Sequence, residues 1–175
     1  NDSVRDTLRV MEAMFTKYRE LNDLADEAEA AKYVLYGVRL DTSGSVRDVS
    51  VQPIGDPSLD LGVNPRLVFN VRQALDNAWE KWNLHEAWRE RASAFCRNVK
   101  IVVSGGFNPE KIRKFEKLGV PADIYAVGSY LFNNNAATVT DFTADVVRVK
   151  VHGEWMDMAK VGRKVGENDN LERVW

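Results

Sequence analysis

The sequence predicts an α/β fold that is built on a parallel sheet. Three short apolar segments, at residues 33–40, 99–103 and 124–127, have the length and composition of buried strands. Segments with helical spacing of apolar residues separate them, and this alternation indicates strand–helix–strand units with parallel strands. Hydrophobic residues make up 45% of the chain, the ordinary share for a globular protein with a packed core.

The first half of the chain begins with residues 4–21, in which apolar side chains recur at spacings of three and four, as in an amphipathic helix. An acidic, alanine-rich run follows to residue 32 and is predicted to continue as helix or as a polar connector. The first predicted strand, 33–40, is nearly continuous in apolar residues, which is typical of a strand buried on both faces. Residues 45–63 hold prolines and glycines without periodicity, so we expect a long loop there.

Helices are predicted on both sides of the second strand. An Asn-Pro pair stands at the start of the helix predicted over residues 65–82, and a second pair stands at the start of the helix predicted over residues 110–118. Asparagine caps the first turn of a helix, and the fixed φ of proline suits that turn. A shorter helix is expected over residues 85–96. The helix over 110–118 should end at Gly119, because glycine is the usual residue after a helix C-terminus.

The chain changes character after residue 144. Valines at 147, 149 and 151 alternate with basic residues, Gly153-Glu154 makes a tight connection, and the alternation resumes at Trp155. This pattern predicts a β-hairpin. We therefore predict two domains, an α/β domain over residues 1–140 and a C-terminal β segment of a second, α+β domain over residues 141–175.

The bulk composition argues against several classes of protein. A net charge of -2 and a pI of about 5.8 indicate no basic face for nucleic acid. The apolar stretches fall far short of the roughly 20 residues of a membrane span, so we expect no membrane partner. The single cysteine, Cys96, suits a reducing, cytoplasmic location. We interpret it as a small buried apolar residue, with a nucleophile as the alternative.

Small and polar residues follow all three predicted strands. Ligands of parallel α/β folds bind at the carboxyl ends of the strands, and here these ends lead into residues 41–44, 104–106 and 128–129. Glycines leave backbone N–H groups open to a phosphate, and a following helix N-terminus adds partial positive charge. The two glycine turns in succession indicate a phosphate site. The alternative is that these glycines only allow the chain to turn after each strand.

Arg39 and Asp41 form the second candidate constellation. Residues two apart in a strand point to the same face, so the two side chains should lie together at the end of the first strand. They form either a structural ion pair or an anion-binding arginine beside a carboxylate that faces a sugar or a developing cation. His85 and His152 lack the spacing of metal ligands, and we predict no metal site made by the protein itself.

Four segments, taken in order, resemble the nicotinate phosphoribosyltransferase family. Residues 38–44 (VRLDTSG) are similar to its Arg-x-Asp-Ser-Gly motif, residues 101–106 (IVVSGG) to its next glycine turn, and residues 123–129 (DIYAVGS) to its Gly-Val-Gly-Thr/Ser turn. Residues 144–147 and 158–164 resemble its returning C-terminal strands. The order and the spacing of the segments agree with the family.

The resemblance implies a fold and a reaction. The fold is an irregular, TIM-like α/β barrel with a second domain built by chain from both ends, so that residues 1–140 would be the C-terminal part of the barrel. The reaction transfers phosphoribose from phosphoribosyl pyrophosphate to nicotinate, giving nicotinate mononucleotide for NAD synthesis. It is coupled to the hydrolysis of ATP as co-substrate, with Mg²⁺ on the pyrophosphate.

The resemblance also implies roles for particular residues. Arg39 would help to hold the pyridine ring or its carboxylate, and Asp41 would face the ribose or its oxocarbenium-like transition state; these are the two catalytic candidates. The glycine turns would cradle the 5′-phosphate through backbone N–H groups. The candidate substrate- and phosphate-binding residues are Ser43, Gly44, Ser104, Gly105, Gly106, Gly128 and Ser129.

Family members are longer than this chain and carry a phosphorylated histidine that has no counterpart in these motifs. A missing N-terminal part of the same protein would then complete the enzyme, in a homodimer or a higher homo-oligomer. The family also has an aspartate soon after Ser-Gly, whereas the next aspartate here is Asp48. Related nicotinamide or quinolinate phosphoribosyltransferases, and a non-catalytic phosphate-binding fragment, stay as alternatives.

Overall fold

The computed structural model describes residues 1–132 and 145–161. Within these ranges, helices pack against a small parallel sheet, and an antiparallel hairpin follows. The prediction of an α/β fold with parallel strands is confirmed at this level. The helices are α1 (Ser3–Asp23), α2 (Glu27–Ala30), α3 (Pro57–Asp60), α4 (Pro65–Asn77), α5 (Glu86–Asn98), α6 (Pro109–Lys117) and α7 (Ser129–Phe132), with 3₁₀ turns at Ala31–Tyr33 and Ala78–Lys81.

The strands of the parallel sheet lie side by side in chain order. They are β1 (Gly37–Leu40), β2 (Lys100–Val103) and β3 (Ile124–Tyr125). Both pairings are parallel, so the three carboxyl ends lie at the same edge of the sheet. Within the described ranges the three strands form an open sheet, and the barrel stays a prediction.

The prediction of a doubly buried strand over residues 33–40 is wrong in two respects. The segment starts in a 3₁₀ turn, and β1 begins only at Gly37, where a Cβ would lie 2.9 Å from the carbonyl oxygen of Lys100. Along β1 only one face is covered by helices, since Leu40 is buried and Arg39 is exposed. β3 is also shorter than predicted.

Helices α1, α4 and α5 pack together over the covered face of the sheet. The Phe15 ring of α1 stacks on Trp82 at 4.7 Å and meets the edge of Phe95 of α5 at 5.1 Å between ring centroids. Cys96 lies fully inside this core, and burial raises the pKa of its thiol to about 11. The interpretation of Cys96 as a buried apolar residue is therefore confirmed.

Both Asn-Pro pairs start helices as predicted. The side-chain oxygens of Asn64 and Asn108 accept hydrogen bonds from the backbone N–H three residues onward, at 3.0 and 2.8 Å. Helix α6 ends just before Gly119, whose φ of +60° is the left-handed conformation expected after a helix. Helix α4 ends earlier than predicted, because residues 78–81 tighten into a 3₁₀ turn.

The loop over residues 45–63 is more ordered than its composition predicts. It contains the single helical turn α3, and two buried aspartates, Asp48 and Asp60, anchor it. The Asp60 carboxylate accepts hydrogen bonds from the amides of Ile54 and Gly55 and pairs with Arg66 at 2.7 Å. Side-chain anchoring of this kind has no hydrophobic period, so the sequence pattern does not reveal it.

The predicted hairpin is present and consists of β4 (Arg148–Val151) and β5 (Glu154–Asp157). His152 and Gly153 form its turn with φ values of 50° and 91°, the left-handed pair that a two-residue hairpin connection requires. The predicted domain boundary at residue 140 and the segment from 162 onward lie outside the described residues. In the ranges that are described, no helix has the length and apolar character to cross a membrane.

Candidate functional site

A cavity of about 1010 Å³ opens at the carboxyl edge of β1 and β2. Its walls come from the two strand ends, the loop after β1, the starts of α1 and α4, helix α6, and the segment after β5. Six of the predicted site residues line it: Arg39, Asp41, Ser43, Gly44, Gly105 and Gly106. Three do not: Ser104 is buried between the strands, and Gly128 and Ser129 follow β3 at the same edge of the sheet but outside the cavity wall.

The ends of β1 and β2 meet because the parallel register continues past both strands. Leu40 lies opposite Val103, and the carbonyl oxygen of Leu40 accepts hydrogen bonds from both the amide, at 3.0 Å, and the hydroxyl of Ser104, at 2.9 Å. A Cβ added to Gly105 would lie 4.0 Å from Asp41 Oδ1. The structure thus brings Asp41 and the first glycine turn together, with Ser104 joining the two strands.

Asp41 directly follows β1 at this edge of the sheet, and two cations flank its carboxylate. Lys160 Nζ lies 3.1 Å and Arg39 Nη2 lies 3.5 Å from Asp41 Oδ2. Burial raises the pKa of Asp41, but the hydroxyl of Ser104 and the positive charges of Lys160 and Arg39 outweigh it, so the pKa is lowered. Asp41 is therefore ionised at neutral pH.

Lys160 is a site residue that sequence reasoning missed. It comes from the segment after the hairpin, 119 positions along the chain from Asp41. The signal was present, because residues 158–164 were among the four segments that resemble the transferase family. Nothing in that segment's composition indicates which of its basic residues reaches the strand ends.

The turn after β2 presents two open backbone amides. Gly105 and Gly106 have φ values of +95° and +66°, which side-chain-bearing residues rarely adopt. Among the described residues, no oxygen accepts a hydrogen bond from either amide. Open N–H groups in a turn that leads into the capped helix α6 are a typical anion-binding arrangement.

Two lysines of α6, Lys111 and Lys114, line the same side of the cavity. The Lys111 ammonium donates a hydrogen bond to the carbonyl oxygen of Gly105 at 2.9 Å and lies 4.2 Å from the centre of the Phe107 ring. Burial lowers the pKa of Lys111, and the nearby charge of Lys114 lowers it further.

The opposite wall of the cavity is built by a close approach of two glycines. A Cβ on Gly62, whose φ is +64°, would come 3.1 Å from the Cα of Gly44. The Asp48 carboxylate supports this wall through Asn1. The side-chain amide of Asn1 donates hydrogen bonds to Asp48 Oδ2, at 3.1 Å, and to the hydroxyl oxygen of Thr42, at 2.9 Å. Asp48, the residue that departs from the family spacing, therefore supports the loop and does not line the cavity.

The described lining of the cavity provides few side-chain ligands for a metal ion that binds without a substrate. No group of three histidine, cysteine or carboxylate side chains that could hold a metal occurs in the described ranges. Mg²⁺ commonly binds to one or two carboxylates together with substrate phosphates, so Asp41 fits an ion that arrives on a pyrophosphate. His85 caps α5 and His152 lies in the hairpin turn, both exposed and both outside the cavity wall.

Comparison with known proteins adds no relative. The chain matches no protein-family model, and no curated protein or solved structure is significantly similar to it. The geometry of the cavity and the motifs themselves are therefore the basis for inferring a function.

Proposed function

We propose that this protein is the C-terminal portion of a nicotinate phosphoribosyltransferase and carries its phosphoribose site. The observation that carries the proposal is that the ionised carboxylate of Asp41 lies beside the turn of Gly105 and Gly106, whose amides donate to no acceptor among the described residues. Transfer of a phosphorylated sugar gains from both features: donors hold its phosphate, and a negative charge stabilises the cation that develops at its anomeric carbon.

The charges of the cavity suit the transfer. In the proposed reaction the C1′–O bond to pyrophosphate breaks, the ring nitrogen of nicotinate forms the new bond to C1′, and C1′ carries positive charge in between. Asp41 stabilises that positive charge, and the cations at the cavity wall stabilise the departing pyrophosphate. Mg²⁺ bound to the pyrophosphate supplies further charge neutralisation. Arg39 donates hydrogen bonds to the carboxylate of nicotinate in this proposal.

The wider architecture of the proposal follows from the resemblance. Three consecutive parallel strands with helices on one face and an exposed arginine on the other are compatible with an arc of an irregular barrel. The hairpin would then belong to a second domain, and a preceding part of the same protein would complete the barrel and supply the histidine for ATP coupling. A cytoplasmic homo-oligomer is part of the same proposal.

The test is a transfer assay on the complete protein with phosphoribosyl pyrophosphate, Mg²⁺ and ATP. Nicotinate, nicotinamide and quinolinate are offered separately, and product nucleotide is measured by chromatography. Formation of nicotinate mononucleotide with stimulation by ATP is the expected result. Preference for another pyridine would reassign the substrate. If none of the three pyridines gives a product nucleotide and phosphoribosyl pyrophosphate does not bind measurably, the proposal of a transferase is contradicted.

The glycine turn should be sensitive to a single methyl group. Gly105→Ala forces a side chain into a φ of +95°, so the turn shifts and its amides move away from the phosphate. We expect the affinity for phosphoribosyl pyrophosphate, measured by calorimetry, to fall by about 1 to 3 kcal/mol through weakened hydrogen bonds to a charged group.

Gly55→Ala is the matched control for this variant. Gly55 also has a positive φ, +85°, with open space around it, but it lies outside the cavity wall. Both variants should lower the free energy of unfolding by about 1 to 2 kcal/mol through backbone strain, and only Gly105→Ala should weaken binding. Equal affinities of the two variants would remove the 105–106 turn from the phosphate site.

A further inference from the structure

We infer that Lys111 is a positioning residue that orients the peptide between Gly105 and Gly106 so that the Gly106 N–H is available to the substrate phosphate. This inference rests on the proposed function, because it assigns a device that prepares the same site. The resemblance to the transferase family assigns no role to this position. The positioning role follows from the contacts of the lysine alone.

The lysine side chain is held in place by three contacts. Its ammonium donates to the Gly105 carbonyl oxygen at 2.9 Å, lies 4.2 Å from the centre of the Phe107 ring and lies 6.0 Å from that of Phe115. The two rings are themselves buried and meet edge to face at 5.0 Å between centroids. The two packed rings therefore hold the ammonium in one position, and its hydrogen bond holds the Gly105 carbonyl in one orientation.

A peptide unit that is free to rotate would be a poor phosphate ligand. In a trans peptide the C=O and the following N–H point in opposite directions, and this chain has no cis peptide bond in its described part. Gly105 and Gly106 lack a Cβ, so little steric resistance opposes rotation of the unit between them. Rotated by half a turn, it would direct a partially negative oxygen, instead of the Gly106 N–H, at the anion.

The charge of Lys111 favours one of these two orientations. A charge-assisted hydrogen bond to the carbonyl is stronger than a neutral one, and it draws the oxygen toward Lys111. The Gly106 N–H then points away from the ammonium, and no described residue accepts a hydrogen bond from it.

Lys114 provides the matched control. It lies on the same helix and lines the same cavity, but it makes no hydrogen bond to the Gly105 carbonyl. Lys111→Met and Lys114→Met both remove one positive charge from the cavity wall, and only the first removes the bond to the turn. Lys111→Arg keeps a cationic donor and tests for rescue.

The experiment measures binding of ribose 5-phosphate to the protein by calorimetry. We expect Lys111→Met to raise the Kd about tenfold or more, Lys114→Met to raise it about two- to threefold, and Lys111→Arg to recover most of the loss. Thermal unfolding of each variant establishes that it is folded. In ¹⁵N-resolved spectra, the Gly106 amide should shift downfield on addition of ribose 5-phosphate in the wild type and much less in Lys111→Met.

Equal effects of Lys111→Met and Lys114→Met, with the same Gly106 shift as wild type, would overturn the inference, since charge alone would then explain both. An unchanged Kd in Lys111→Met would overturn it as well, even in an active transferase. Lys111-dependent binding without transfer activity would instead contradict the proposed function and leave the inference standing. Absence of ribose 5-phosphate binding to the wild type would overturn both.

Discussion

Asp41→Asn is expected to lower kcat of the transfer reaction about 100- to 1000-fold while leaving KM for phosphoribosyl pyrophosphate nearly unchanged. The amide has the shape of the carboxylate but no charge to stabilise the cationic ribose. Its removal also leaves Lys160 and Arg39 without their shared negative partner. The cavity becomes more positive, so the anionic substrate still binds, and the loss falls on the chemical step.

Steady-state kinetics of the complete protein check this prediction, with Asp6→Asn as the control. Asp6 lines the same cavity from the first turn of α1, and its carboxylate pairs with Arg5 at 3.0 Å. We expect Asp6→Asn to change kcat less than about threefold, because an exposed ion pair contributes little. An unchanged kcat in Asp41→Asn, or an equal loss in both variants, would exclude Asp41 as the residue that faces the reacting carbon.

The second large effect concerns stability. Asp48 is fully buried, and its two oxygens accept five hydrogen bonds, at 2.6 to 3.1 Å, from Asn1, Ser3 and Ser50. Asp48→Asn would turn one acceptor into a donor that faces other donors. We expect the free energy of unfolding at pH 7, measured by urea titration, to fall by about 2 to 4 kcal/mol.

The pH dependence of this difference has a definite sign. Burial raises the pKa of Asp48, but the donors of Ser3 and Ser50 outweigh it and the folded-state pKa is lowered. A depressed carboxyl pKa adds stability above the pKa of the unfolded chain, about 4, and loses it as the pH falls through the folded-state value. The gap between wild type and Asp48→Asn should therefore be full at pH 7 and shrink below about pH 4.

Asp56→Asn in the same loop is the control for Asp48→Asn. The Asp56 side chain is exposed and only caps the short helix α3, where it accepts a hydrogen bond from Ser58 at 2.8 Å. Asparagine caps a helix about as well as aspartate, so the expected change is under about 0.5 kcal/mol. A loss of stability in Asp48→Asn no larger than this, or one that does not vary with pH, would contradict an anchoring role for the buried carboxylate.

Part of the candidate site could be predicted from strand ends alone. Arg39 in β1 and Asp41, one residue past its end, do lie together, as the period of a strand predicts. The glycine turn after β2 lies beside Asp41 because parallel strands share an edge. The rule that parallel strands share an edge did not show which of the two turns, at Gly105 or at Gly128, lines the cavity. Both follow a strand at that edge, but only the first lines the cavity, because only β2 is the direct neighbour of β1.

The sequence by itself determined where α4 and α6 begin and where α6 ends, since Asn64 and Asn108 cap their own following turns and Gly119 supplies its own left-handed φ. It also determined that parallel strands carry small residues to one edge. Only the tertiary structure decided that Lys160 reaches Asp41 and that Asp48 anchors the loop. Caps and strand periods are set by near neighbours, whereas the partner of a charged side chain depends on how distant segments of the chain pack.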